Sequence, residues 1–345
     1  MSLKKTLQNF RIKIGKALLD KTIVRDTPTT PKRFLFLRQD GKIGDIIVSS
    51  FVFKALKKYF PDCEISVVCS ETNRELLHKF QEIDKIYTLP KRSIKARFHL
   101  GKVLRKEKFD YLLDPTVFLR NRDLFFIRLI GAKNNVGFLK ADYKIFNFNI
   151  ENSSQHFATV YEQMLKYFIK DNFDTHYIIP QDEKAEQNIV NFLHNNQLEH
   201  YIALNLFGAG SNRQFSEEKA IELINYVLNS SMKNIVLLGY PAVMDKLKNY
   251  RQKCVEPERT YLYKDTKTIF DNISLIKYAD LCISPDTSIV HIAVGLDKPL
   301  ISFYSEGEEN FQHWNPNTKN PSYILRYSKH VNNLDIKDIK PDWLN

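Results

Sequence analysis

Three short segments combine side chains that can do chemistry with the glycine or hydroxyl turns that ligands need. The first is Gly41-Lys42-Ile43-Gly44-Asp45. It lies between an apolar run at residues 33–37 and a helical pattern at 46–59, so its backbone N–H groups point at whatever binds there. It matches neither a Walker A loop nor G-x-G-x-x-G. Asp45 at such a mouth could take a proton from an incoming hydroxyl, or it could cap the helix, where Asp is common. The second segment is Ser284-Pro285-Asp286-Thr287-Ser288-Ile289-Val290-His291. The hydroxyls of Thr287 and Ser288 and the first helical amides make a phosphate cradle, with His291 one turn further on. The alternative is a plain capping motif above a core histidine. The third is Gly208-Ala209-Gly210-Ser211-Asn212-Arg213, a loop ending in a cation. Arg213 could neutralise a departing diphosphate or be an ordinary exposed arginine.

The elements that must position these segments follow a repeating pattern of strand, loop and helix. From residue 33, strands are expected at 33–37, 64–68, 85–89 and 109–113, with helices at 46–59, 71–80 and 94–106 between them. Residues 171–200 read as a crossover. A second series then places strands at 201–206, 234–238, 260–263, 281–284 and 300–303, with helices at 216–229, 243–254, 269–278 and 288–295. Ser216 is the expected cap of the first of these helices. Alternation of this kind implies parallel sheets. The fold class expected is therefore α/β, as two Rossmann-like domains with a cleft between them where strand C-terminal ends meet ligands. The boundaries expected are a basic amphipathic helix within 1–30, an acceptor domain at 31–175 and a donor domain at 176–345.

Length and charge agree with that division. A chain of 345 residues suits two α/β domains rather than one core. Residues 1–170 hold 33 Lys and Arg against 17 Asp and Glu, a net +16. Residues 171–345 hold 18 against 23, a net −5. An anionic partner is thus expected at the N-terminal half alone. Within it, Leu3, Leu7, Phe10, Ile14 and Leu18 recur on one helical face over residues 2–21, among Lys4, Lys5, Arg11, Lys13, Lys16 and Lys21. Such a helix can lie in an anionic membrane interface, or pack on the protein's own core. Residues 91–108 add a second basic stretch that includes Lys95, Arg97 and Arg105, either an acceptor surface or a solvated charged helix. No apolar run approaches the roughly 20 residues of a membrane span, and the first residues do not read as a secretory h-region. Cys63, Cys69, Cys254 and Cys282 form no C-x-x-C pair and are expected as buried, reduced thiols. No recognised nucleic-acid motif accompanies the charge, so no nucleic-acid partner is expected.

Taken in order, Arg38-x-Asp40-x-x-Ile43-Gly44-Asp45, Gly208-Ala209-x-Ser211, Leu237-Leu238-Gly239, Asp286-Thr287-Ser288-x-x-His291-x-Ala293 and Trp314-Asn315-Pro316 resemble glycosyltransferase family 9, the lipopolysaccharide core heptosyltransferases. The resemblance runs from about Arg33 to Pro316. It implies a GT-B fold and inverting transfer from an ADP-heptose donor, with no metal or other cofactor. Asp45 would be the catalytic base. Gly208, Ser211, Arg213, Gly239, Asp286, Thr287, Ser288 and His291 would hold the donor. The acceptor would be a lipid A-linked core oligosaccharide, met by Lys42, Lys95, Arg97 and Arg105. The enzyme would then work in the cytoplasm, peripheral on the inner face of the inner membrane and against its anionic surface. This chain departs from the family in having Ser288 where glycine is usual, Arg213-Gln214-Phe215-Ser216 where a lysine–basic–tryptophan–proline run is usual, and Ser49-Ser50-Phe51 where proline is common. A same-fold transferase using a hexose or N-acetylhexosamine donor is the nearest alternative. A nucleotide-sugar epimerase is the next, since epimerases share the paired Rossmann-like domains.

Overall fold

The structure is a computed structural model that describes residues 3–24, 26 and 28–345, with side chains from residue 10 onward. The chain divides into two compact units, Met1–Thr175 and His176–Asn345. In chain order the first contains α1 (Leu3–Leu19), β1 (Arg33–Arg38), α2 (Ile43–Ser49), α3 (Phe51–Tyr59), β2 (Glu64–Cys69), α4 (Glu71–Leu77), β3 (Lys85–Thr88), α5 (Ile94–Glu107), β4 (Tyr111–Asp114), α6 (Asn121–Ile130), β5 (Asn134–Phe138), β6 (Phe148–Ile150) and α7 (Phe157–Lys166). Its sheet is wholly parallel, in the order β3-β2-β1-β4-β5-β6.

β1 shows why the sheet is covered on both faces. Its sequence, Arg-Phe-Leu-Phe-Leu-Arg, is apolar at every interior position, as a strand buried on both sides requires. Leu35 and Leu37 pack into one layer with Leu104 of α5 and Leu124 and Ile127 of α6. Phe36 turns the other way, against Phe53 of α3 and Tyr161 of α7.

The second unit contains α8 (Glu183–Asn195), β7 (Tyr201–Asn205), α9 (Glu217–Ser230), β8 (Asn234–Leu238), α10 (Met244–Lys253), β9 (Thr260–Leu262), α11 (Ile269–Tyr278), β10 (Leu281–Pro285), α12 (Ser288–Gly295), β11 (Leu300–Ser305), α13 (Glu308–Trp314) and β12 (Ser322–Tyr327). Its sheet is also parallel, in the order β12-β11-β10-β7-β8-β9. Read from its first strand, this is the same order as in the first unit. Each sheet therefore reverses winding direction once, between β1 and β4 in one and between β7 and β10 in the other. Doubly wound sheets bind ligands beyond the strand C-termini at such reversal points.

The structure adds elements that the strand–helix pattern omitted: α6, β5, β6 and α7 in the first unit, and α13 and β12 after residue 303. It also divides the helix expected at 46–59. Ser49 and Ser50 return their hydroxyls to the carbonyls of Ile46 and Ile47, at 3.0 and 2.6 Å. This back-bonding competes with the helical ladder, and the helix is interrupted at Ser50, between α2 and α3. Ser216 caps α9 as expected, its hydroxyl accepting from the Lys219 N–H at 3.3 Å. The four cysteines are buried and unbridged. Among the described residues, no helix is long and apolar enough to cross a membrane.

Candidate active site

In the first unit the chemistry gathers at the C-terminal end of β1. Gly41 sits at φ +73°, a left-handed turn that favours glycine. The chain then enters α2 with Lys42 at the cap position, in extended backbone. Asp45 is thus not the cap; it stands in the first turn of the helix. Its Oδ1 lies 2.9 Å from Nη2 of Arg38, the residue that ends β1. The same Nη2 reaches Oδ2 of Asp40 at 3.1 Å, and Nη1 donates to the Tyr161 hydroxyl at 3.3 Å. Arg38 is only 2% exposed and Asp45 13%. Burial opposes the guanidinium's charge, yet Asp40, Tyr161 and Asp45 together raise its pKa above the ordinary arginine value. For Asp45 the balance runs the other way. Burial lifts its pKa above the usual carboxylate value, against the opposing pull of Arg38 and Lys42. Its second oxygen, Oδ2, has the exposed Lys42 ammonium 4.0 Å away.

In the second unit two loops meet at the equivalent reversal point. Gly208 is required by closeness: a Cβ there would stand 2.7 Å from Arg213 Cβ, 2.9 Å from its carbonyl oxygen and 3.0 Å from Thr287 Cγ2. Gly210 takes φ +90° and leads into a 3-10 turn, Ser211–Arg213. Arg213 is not an isolated cation. Its Nη2 lies 3.1 Å from Oδ2 of Asp286, and its Nη1 donates to the Asp286 carbonyl at 3.1 Å. Asn310 of α13 completes the cluster, donating to the same carboxylate at 2.9 Å and accepting from Arg213 at 3.3 Å. Burial pushes the Asp286 pKa up while Arg213 and Asn310 draw it down, for a net rise. Thr287 caps α12, its hydroxyl accepting from the Ile289 N–H at 3.2 Å. Asn205, at the end of β7, donates to the hydroxyls of Ser284 at 2.9 Å and Thr287 at 3.3 Å. Thr287 and Ser288 remain half-buried at the start of the helix, where amides and dipole favour an anion.

The structure thus brings Gly208, Arg213, Asp286, Thr287 and Ser288 together, with Ser211 exposed on the adjoining loop. Gly239 serves packing, since a Cβ would stand 2.6 Å from Leu247 of α10. His291 is buried one turn into α12, its ring centroid 6.5 Å from that of Tyr177 and 5.8 Å from that of Trp314.

The expected acceptor cations do not form one patch. Lys42 and Lys95 are exposed at the end of the first unit where Asp45 lies. Arg97 is buried and clamps its own loop. It donates to the carbonyls of Pro90, Lys91 and Ser93 at 3.1–3.3 Å, with Asp123 of α6 at 3.5 Å. Arg105 is exposed but two turns further on, about 12 Å along α5 from Arg97. The next turn of the helix contacts Arg33, the first residue of β1, so Arg105 stands at the opposite end of the sheet from Asp45.

Sequence reasoning missed Arg38 as a site residue, although an arginine ending an otherwise apolar strand was a usable signal. It also missed Asn205 and Asn310, which nothing in the sequence marks. Among the described residues, no group of three or more His, Cys, Asp and Glu side chains is arranged to hold a metal ion.

The model of glycosyltransferase family 9 (heptosyltransferase) matches residues 97–343. The chain belongs to this family. It is therefore a glycosyltransferase, and the epimerase alternative falls. A candidate lipopolysaccharide heptosyltransferase 4 of Escherichia coli (strain K12) is 24% identical over 341 residues, 96% of this chain and 89% of its own. Among solved structures, a family 9 glycosyl transferase from Veillonella parvula superposes with a TM-score of 0.73 at 14% identity, over 90% of this chain and 95% of that one. The E. coli ADP-heptose lipopolysaccharide heptosyltransferase II gives 0.68 at 16%, over 91% and 96%. The fold is accordingly the GT-B type of the heptosyltransferases, two Rossmann-like domains of parallel sheet.

Proposed function

We propose that this glycosyltransferase moves a heptose from ADP-heptose onto the inner core of a lipid A-linked lipopolysaccharide or lipooligosaccharide acceptor, with inversion at the anomeric carbon. The observation that carries the mechanism is the Asp45 carboxylate, fixed by Arg38 through one oxygen and turned away from it with the other. In this proposal Oδ2 takes the proton of an acceptor hydroxyl while that oxygen attacks the anomeric carbon. The bond from that carbon to the diphosphate breaks, and attack from the opposite face inverts the centre.

ADP leaves carrying the negative charge. Arg213, the hydroxyls of Thr287 and Ser288, and the first amides of α12 are proposed to hold it. Arg213 can turn from Asp286 to the diphosphate, because Asn310 keeps a hydrogen bond on that carboxylate. No metal or other cofactor is called for in this scheme, since those groups supply the charge that a metal would. Lys42 and Lys95 are proposed to meet acceptor phosphates or acidic sugars. Donor identity rests on family membership and on the name of the E. coli relative, which specifies ADP-heptose. The experiment is product formation from a panel of nucleotide sugars on a delipidated core acceptor, read by mass.

A further inference from the structure

The outer layer of the first unit carries an apolar and basic surface that extends beyond the residues assigned to the transfer reaction. α1 packs on α6 through Gly15, where an added Cβ would stand 2.2 Å from Asn121 Cγ. The Asn121 amide also donates to the Arg11 carbonyl at 2.6 Å. On the other side of that contact, Lys16 lies over the Tyr143 ring at 4.7 Å. Phe10, Ile14 and Leu18 follow one another at intervals of four on the remaining side, about 100° round the helix from Gly15. They are 60%, 46% and 70% exposed. The helix therefore buries Gly15 and half-buries Ile12 and Leu19 on its packed side, and leaves a second apolar row, Phe10, Ile14 and Leu18, in solvent.

A cavity of about 400 Å³ lies beside the C-terminal end of α1. Leu19 and Ile23 line it from α1 and the chain beyond, Phe125 and Leu129 from α6. Arg105 of α5 and Arg128 of α6 also line it, and neither has an ion pair among the described residues. Along α5, Ile94 and Phe98 are exposed too, Phe98 beneath the Lys102 ammonium at 4.4 Å.

The acids of this layer are few and occupied. α1 has none, α5 has only Glu107 and α6 only Asp123. Glu107 is paired with Lys85 at 3.0 Å, and Asp123 lies 3.5 Å from Arg97. Unpaired cations around exposed apolar side chains complement an anionic interface, whose headgroups meet the cations and whose acyl region takes the apolar row.

We infer that the α1–α6–α5 layer docks on an anionic phospholipid surface, with Phe10, Ile14 and Leu18 inserted and Arg105 and Arg128 receiving a lipid phosphate in the cavity. The inference is independent of which sugar is transferred, because lipid binding is read with no sugar present.

The test is co-sedimentation of the full chain with vesicles of phosphatidylglycerol and phosphatidylethanolamine, beside vesicles of phosphatidylcholine. The parent should bind the anionic vesicles, and more weakly as salt rises. The pair Arg105→Gln and Arg128→Gln should lower partitioning by about 25-fold at low salt, about fivefold per cation. The triple change Phe10→Ser, Ile14→Ser and Leu18→Ser should lower it by at least about tenfold at every salt concentration. The triple variant should still act on a delipidated acceptor at the parent's rate. Parent-like vesicle binding by both variants would overturn the assignment, as would equal binding of the parent to phosphatidylcholine. A parent that ignores vesicles but dimerises through Phe10, Ile14 and Leu18, the dimer being lost in the triple variant, would give the face to a second copy instead.

Discussion

Replacing Asp45 by Asn isolates the proposed base with little disturbance around it. The amide has the carboxylate's shape, and its oxygen can go on accepting from Arg38 Nη2, now 2.9 Å from Oδ1. Arg38 keeps Asp40 at 3.1 Å and the Tyr161 hydroxyl at 3.3 Å, so no buried cation is stranded. What disappears is the oxygen that would take the proton. Loss of a positioned base lowers turnover by about 10²–10⁴-fold, roughly 2.7–5.4 kcal/mol of barrier. Donor affinity should not move, since every proposed donor contact lies in the second unit.

Stability should hold or rise in this variant. Burial raises the Asp45 pKa in the folded protein, so the folded state binds this proton more tightly than the unfolded chain does. The contribution of that protonation to stability is fully present below the unfolded value and is lost as pH rises through the folded one. At neutral pH the ionised Asp45 therefore costs stability, and Asn removes the cost. In the parent the same shift means that turnover falls as pH drops through a value above that of an ordinary aspartate. The assays are single-turnover kinetics, calorimetry with the nucleotide diphosphate, and thermal unfolding. If Asp45→Asn turns over within a few-fold of the parent while melting at the parent's temperature or above, the carboxylate is not the base, and the role assigned to Arg38 in holding it fails with it.

Arg213→Ala should raise the barrier by about 3 kcal/mol, the usual scale for one lost preorganised electrostatic contact. Lys should restore part of it, having the charge without the fork that grips Asp286; unchanged kcat/KM in the Ala variant would move the diphosphate cation elsewhere. The two α5 residues near Asp45 should separate cleanly. Arg97→Glu should cost about 3–5 kcal/mol of folding stability by leaving Asp123 facing a second buried acid, whereas Lys95→Glu should melt like the parent and raise the acceptor KM. Chemical denaturation and acceptor titrations check this pair, and a parent-like stability for Arg97→Glu would contradict the clamp.

The parts of this architecture that were legible in the sequence are those where pattern and chemistry agree. Apolar runs bounded by Gly, Pro or Ser located β1, β8 and β10, and Ser216 announced α9 because an N-cap acts locally. The segment at 114–170 was opaque for the opposite reason. β5 begins Asn134-Asn135, two polar residues that are buried through partners distant in the chain, among them the carbonyls of Asp110 and Ile145. β12 is a half-buried edge strand without a full apolar run. Motif order located the donor loops, yet it could not show that Arg213 is already paired or that Asn310 joins it, because α13 reaches Asp286 only through the tertiary fold. Charge counting grouped Lys95, Arg97 and Arg105 as one surface. Helix geometry separates them into an exposed lysine, a buried clamp and an arginine at the far end of the sheet. The side chains of Leu3 and Leu7, part of the expected apolar face of α1, lie outside the described residues.

The central claim is the identity of the sugar transferred, and the mass of the product tests it most directly. Purified protein would be incubated with ADP-heptose, UDP-glucose, UDP-galactose and UDP-N-acetylglucosamine together, with a delipidated core oligosaccharide as acceptor. The account predicts an acceptor heavier by one heptose residue, formed only when ADP-heptose is present. An acceptor extended by a hexose or an N-acetylhexosamine, with ADP-heptose left intact, would contradict it.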